Sequence, residues 1–195
     1  MSDAIAGTGD APGTGSGPEA GAPLPPIRLE RWTVTSGSNV NSRAAVVLHA
    51  GRHDWKASAE GNGAVDALLR AVDKALADVL GGHPVLIAYD VHALAEGPDA
   101  EGRVTVRIAP PAAAQGARSD GRYTGEVAST NIVAASVEAY VDALNAMLDD
   151  PSWAGAAEAA GSRRGRGRGA EPGGGAGAEF DDDARPIDTT EWFNL

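Results

Sequence analysis

Val65, Leu68, Val72, Ala75 and Val79 recur at helical spacing and make one apolar stripe. A polar strand, Trp55 to Ala59, and a Gly-Asn-Gly turn, Gly61 to Gly63, lead into that helix. Asn62 is its expected N-cap, and Gly81-Gly82 its expected stop. A shift of 69 positions brings up a second such helix, Asn131 to Leu148, with Asn62 on Asn131, Leu68 on Val137 and Asp73 on Asp142. Each helix follows three strand-like runs. The first set is 27–35, 43–50 and 55–59, and the second is 84–94, 102–109 and 122–128. The chain therefore reads as α+β: two β-β-β-α units, an internal duplication with helices packed on antiparallel sheets. Strand 27–35 alternates without a purely apolar face, so its burial side stays open.

Both ends differ in kind. Residues 1–26 are almost all Gly, Ala, Pro, Ser, Thr and acids, and residues 151–195 are Gly-rich. Neither stretch carries enough apolar area to offset its ordering entropy, so both are expected to be disordered tails around a domain at 27–150. Arg163, Arg164, Arg166 and Arg168 alternate with Gly in the second tail and read as a solvated linker. Trp192 and Phe193 near its end read equally as a docking peptide or a tolerated end.

The formal net charge of −11 argues against a nucleic-acid-binding body. There is no Cys, hence no disulfide framework and no thiolate chemistry. No apolar run has the length to cross a bilayer, and no basic start followed by an apolar stretch marks a signal peptide. A cytoplasmic protein away from membranes is the expectation. His49 and His53 lie four apart but flank a turn, so no metal is expected there. No Gly-x-Ser-x-Gly elbow is present, and no catalytic residue is assigned.

Three blocks carry a resemblance: Glu60-Gly61-Asn62-Gly63-Ala64-Val65-Asp66-Ala67, then Tyr89-Asp90-Val91-His92-Ala93-Leu94-Ala95-Glu96-Gly97-Pro98-Asp99-Ala100, then Thr130-Asn131-Ile132-Val133-Ala134-Ala135-Ser136. Together they resemble the C-terminal regulatory domain of α-isopropylmalate synthase, shared in part by citramalate synthase and homocitrate-type synthases. The likeness spans about Ile27 to Leu148. It implies two β-β-β-α units, a homodimer, and binding of an end-product amino acid, leucine in the synthase itself. The synthase's catalytic part is an α/β barrel of about 250 residues with a divalent metal. No such sequence precedes Ile27, so the resemblance implies the regulatory half alone, with no catalysis and no cofactor of its own.

The family commonly has Pro where Ala64 stands, and often an acid or a Pro where Thr130-Asn131 stands. Either departure bears on effector choice. A free amino acid needs a home for three groups. Its carboxylate suits the N–H groups of Gly61, Asn62, Gly63 and Ala64, or those of Thr130, Asn131 and Ile132, at helix starts. Its ammonium suits Asp66 or Asp99. The resemblance implies Val65, Leu86, Tyr89, Ala93, Ala100 and Ala128 as the apolar wall. His92 reads as structural. A pocket of this kind separates ligands that differ by a methylene by only about 1–3 kcal/mol, which leaves the choice among branched-chain amino acids open. Three functions follow: a stand-alone sensor of a branched-chain amino acid, a dimerisation scaffold that has lost its ligand, or an accessory subunit of a barrel-type acyltransferase.

Overall fold

The computed structural model describes residues 25–160, apart from residues 98, 113–120 and 158. Strands β1 (Arg28–Thr35), β2 (Ser42–Ala50) and β3 (His53–Gly61) precede helices α1 (Ala64–Ala75) and α2 (Ala77–Leu80). Strands β4 (Val85–Ala93), β5 (Gly102–Ala109) and β6 (Tyr123–Ser129) precede α3 (Ile132–Leu148). Each trio is one antiparallel sheet, in the orders β1-β2-β3 and β4-β5-β6. Helix α1 packs on β2 and β3, α3 packs on β5 and β6, and the two helices touch each other. The α+β duplication expected from the pattern is the observed fold.

The two halves agree in detail. A register shift in β1 falls between Leu29 and Arg31, and one in β4 between Leu86 and Ala88, each with one extra residue. A bulge reverses strict alternation. It brings Leu29, Trp32 and Val34 together onto the core side of β1, which settles the burial side that the alternation left open. By the bulges, β1 and β4 match position for position, with Trp32 equivalent to Tyr89 and Val34 to Val91.

The helices match with one correction. Gly63, not Asn62, is the N-cap of α1, whereas α3 is capped by Asn131, whose side chain accepts from the Ala134 N–H at 3.1 Å. Gly63 falls on Asn131, so the equivalence is 68 positions, one less than the sequence pattern gave. In that register Ala67, Ala71 and Ala75 fall on Ala135, Ala139 and Ala143, and Leu76 falls on Leu144, all buried. Two rows of alanine at four-residue spacing therefore seat the helices on their sheets. The approach is closest at Gly125 on β6, where an added Cβ would lie 2.0 Å from the Ala139 carbonyl oxygen and 2.6 Å from the Ala143 nitrogen.

The helix expected up to Leu80 breaks at Leu76 into α1 and α2, and Gly81, with φ of 66°, ends α2 in the left-handed region. The packed chain continues beyond Asp150, the boundary expected from composition. A 3-10 turn, Pro151–Trp153, carries Trp153 into the core, and Ala156 and Ala160 are buried as well. A single large aromatic anchors what composition alone reads as a tail. The Arg-Gly run and the Trp192-Phe193 end lie outside the described residues.

Between the halves, the Tyr140 hydroxyl of α3 donates to the Asp73 carboxylate of α1. Asparagine 145 clasps the chain before β1, accepting from the Ile27 N–H and donating to the Ile27 carbonyl, both at 2.8 Å. Among the described residues no helix is long and apolar enough to cross a membrane.

Candidate functional site

At the first helix start the Gly-Asn-Gly corner is partly closed by its own chain. Asp66, in the first turn of α1, reaches back to accept the Asn62 N–H at 2.9 Å. Its other oxygen accepts from the Arg70 guanidinium, also at 2.9 Å. The Arg70 hydrogen bond holds the Asp66 carboxyl below the usual carboxylate range, helped by the Asn62 N–H and opposed by partial burial. Thus the anion favoured at this helix start is one the protein supplies itself. An acid three residues after an N-cap is the sequence signal for that, and here it is the spacing from Gly63 to Asp66.

The two turn glycines differ. Gly61 is buried, and a Cβ there would lie 2.5 Å from the Ala67 nitrogen. Its role is close backbone packing. Gly63 has open space where a Cβ would go, in ordinary extended backbone with φ of −157°. Beside it, Val65 is half-buried. The N–H groups of Ala64 and Val65 belong to the first turn, which no intrahelical carbonyl serves.

The second helix start is also self-capped. Asn131 covers Ala134, and its own N–H donates to the Ser129 hydroxyl at 3.1 Å. Thr130 and Asn131 are exposed.

Strand β4 holds the most unusual surface. Register pairs Leu86 with Ile108, Tyr89 with Val106, and Val91 with Val104. Those β5 partners are fully buried beneath α3, so the three β4 residues sit on the same, helix-bearing face. Yet Leu86 is 47% exposed, Tyr89 37% and Val91 43%. Helix α3 covers β5 and β6 and leaves this face of β4 open. The equivalent residues of β1, Leu29, Trp32 and Val34, pack against the core. One tie crosses the gap: the Tyr89 hydroxyl meets the Ser136 hydroxyl of α3 at 2.7 Å, and Ser136 donates to the Ile132 carbonyl. Neighbouring Gly102 lies under Ile132, whose Cδ1 would stand 2.2 Å from an added Cβ.

The expected wall does not come together as one surface. Leu86, Tyr89 and Ala93 share the helix-bearing face of β4. Ala128 pairs with Arg103, which pairs with His92, and that row lies on the opposite face. Alternation places Ala128 there, and it is exposed. His92 is exposed in the same row, so it is not a core residue. Ala100 belongs to the loop after β4, where its N–H donates to the Gly97 carbonyl at 3.3 Å. Residues Leu94, Glu96, Asp99 and Ala100 line a shallow open hollow there. Gly61, Asn62, Gly63, Val65 and Asp66 form a separate cluster at the α1 corner, and Thr130 and Asn131 another at the α3 corner.

Chemistry elsewhere is sparse. His49 pairs with Asp54 across the β2–β3 hairpin at 2.7 Å, and Glu30 completes a group whose ligand atoms lie within 4.8 Å of one another, all three residues exposed. His53 instead stacks near Trp55, with ring centroids 5.6 Å apart. The buried Asp73 has its carboxyl pushed up by desolvation, against the opposing pull of the Tyr140 hydroxyl and of His83, whose Nδ1 lies 3.5 Å away. Burial likewise pushes the Tyr140 phenol up, and the Asp73 charge adds to it. Ser136 and Ile132 had a faint signal in the sequence, a hydroxyl four residues after an apolar residue inside an otherwise apolar stripe.

Comparison with known proteins gives a consistent picture. A family described as the LeuA allosteric (dimerisation) domain matches residues 16–148. The 2-isopropylmalate synthase of Nitrosococcus oceani is 37% identical over 123 residues, 63% of this chain and 22% of that protein. That of Salinibacter ruber is 33% identical over 149 residues, 75% of this chain and 24% of the relative. That of Aquifex aeolicus is 36% identical over 122 residues, 62% of this chain and 21% of the relative. The chain thus spans about a fifth to a quarter of the length of the curated relatives it matches.

Proposed function

The chain belongs to the LeuA allosteric (dimerisation) domain family, and from that premise we propose that it is a regulatory module of branched-chain amino-acid biosynthesis. It forms a homodimer, binds leucine or another branched-chain amino acid as effector in the cytoplasm, and carries out no catalysis itself. Its output is control of a barrel-type synthase of the 2-isopropylmalate type. One observation carries the reading: the apolar face of β4 is open while the matching residues of β1 are partly buried against the core. An exposed apolar strip of this kind marks an interaction site. A second copy of the chain covers it, and the small zwitterion lies at its margin. The effector side chain rests against Leu86, Tyr89 and Ala93. Its carboxylate takes the first-turn N–H groups at the start of α3, the helix that Tyr89 reaches through Ser136. Since Asp66 is already engaged by Arg70 and Asn62, it serves as a cap, and the ammonium turns to carbonyls or to Asp99.

A second reading has one observation in its favour. Asp66 fills the Asn62 N–H from within, as befits a dimerisation scaffold that holds no ligand. Two measurements separate the readings. Leucine, isoleucine and valine are each titrated calorimetrically into the chain, and thermal unfolding is followed with each at millimolar concentration. Saturation at about 100 times Kd stabilises by about 2.7 kcal/mol. An unmoved melting temperature with all three rejects the sensor and leaves the scaffold. Sedimentation of wild type and Val91→Glu tests the interface. A dimer that survives the buried charge rejects β4 as the shared face.

A further inference from the structure

The duplication allows the molecule to be compared with itself. Where the first unit has Trp32 on its edge strand and Leu68 on its helix, the second has Tyr89 and Ser136. Trp32 and Leu68 are apolar and packed with the core. Tyr89 and Ser136 are joined by a hydrogen bond, and Tyr89 stays partly exposed. Ser136 is fully buried, a polar residue in a helix stripe that otherwise consists of Ala, Val, Tyr, Leu and Met. Packing alone gives no reason for a hydroxyl in that seat, since its counterpart is leucine.

The direction of the hydrogen bonds is fixed by chemistry. The Ile132 carbonyl can only accept, so Ser136 spends its proton there. Tyr89 must then donate its own proton to the Ser136 oxygen. The phenol is therefore tied back to α3, and its hydroxyl is not free to swing over the open strip beside Leu86 and Val91. A free tyrosine on a half-exposed strand would sample several rotamers. A tethered one sets a fixed depth.

We infer that Ser136 is a positioning residue that holds the Tyr89 ring as the wall setting the side-chain size accepted at the β4 face. The inference rests on the effector reading above and adds to it the part that grades the ligand. The ligand class is an amino acid with a branched aliphatic side chain. A fixed wall discriminates one methylene by steric fit, and a loose wall adapts to each ligand and discriminates less. The tie belongs to this second unit alone, because neither Trp32 nor Leu68 can make it.

The test uses the full chain with Ser136→Ala, Tyr89→Phe and the double variant. Each substitution removes the hydrogen bond while keeping the ring, and thermal unfolding confirms that each variant folds. Calorimetric titration with leucine, isoleucine and valine gives three affinities per protein. We expect the best ligand to weaken by about tenfold in each single variant, as for loss of about 1.4 kcal/mol. The double variant should be no weaker than either single one. The spread between best and worst ligand should shrink severalfold, which a merely structural role would not produce. An unchanged spread, or a double variant weakened by the product of the single effects, overturns the inference and leaves the effector site standing. A wild-type chain that binds none of the three overturns both.

Discussion

Gly125→Ala is the sharpest test of how the second helix is seated. The added methyl would stand 2.0 Å from the Ala139 oxygen, 2.6 Å from the Ala143 nitrogen and 2.9 Å from the Asp142 Cβ. Ordinary contact begins at 3.4 Å, so α3 or β6 must retreat by roughly 1.4 Å. Two of the obstacles are backbone, so no side-chain rotation relieves the clash. Retreat of α3 also loosens Val137, Leu144 and Met147, which are now buried beneath it. Overpacking in cores costs about 1–3 kcal/mol, and a backbone obstacle puts this case near 3. With a urea slope of about 2 kcal/mol/M, the unfolding midpoint should fall by roughly 1.5 M. Gly63→Ala is the control, because its Cβ meets nothing within 4 Å. Urea melts of both variants followed by far-ultraviolet dichroism decide it. If Gly125→Ala shifts the midpoint no further than Gly63→Ala, the close seating of α3 on β6 is wrong.

Gly61→Ala should destabilise by about 1–3 kcal/mol through its clash with the Ala67 backbone, whereas Gly63→Ala should leave stability nearly unchanged; urea melts of the two variants check the difference. Trp153→Ala should cost about 3–5 kcal/mol in a urea melt, since the ring is buried in the core beyond the last long helix. The Asp73 carboxyl is raised above its ordinary 3.8 by burial, so its contribution to stability is full below that pH and is lost as pH climbs through the folded value. Asp73→Asn, which mimics the protonated form and still accepts from Tyr140, should match wild type near pH 3 and gain on it at higher pH. Melting temperatures of both proteins from pH 3 to 7 read this out, and parallel curves would contradict it.

The sequence made the duplication legible because hydrophobic periodicity reports which face an element buries. Strands β4, β5 and β6 and helix α3 lie within a residue or two of the runs expected from it. What it concealed has particular causes. A bulge at Glu30 shifts the parity of β1, and nothing in the residue types of Arg28 to Thr35 announces it. The cap of α1 moved to Gly63 because Asp66 reaches back to Asn62, a side-chain choice that spacing alone does not decide. Trp153 was hidden by its Gly- and Ala-rich neighbours, where one aromatic is enough to hold the chain down. The candidate site was half legible. The corner glycines and the β4 residues were singled out together, but period-two alternation sends Ala128 to the far face. Apolar content marked β4 as a strand without saying that its own helix would leave it uncovered.

The matched bulges of β1 and β4 carry a consequence for anyone who shortens the chain. Each extra residue sets the parity of its own edge strand, so removing it would turn one end of that strand over and send its apolar side chains to the far face. Either half therefore keeps its oily side inward only while its one surplus residue stays in place.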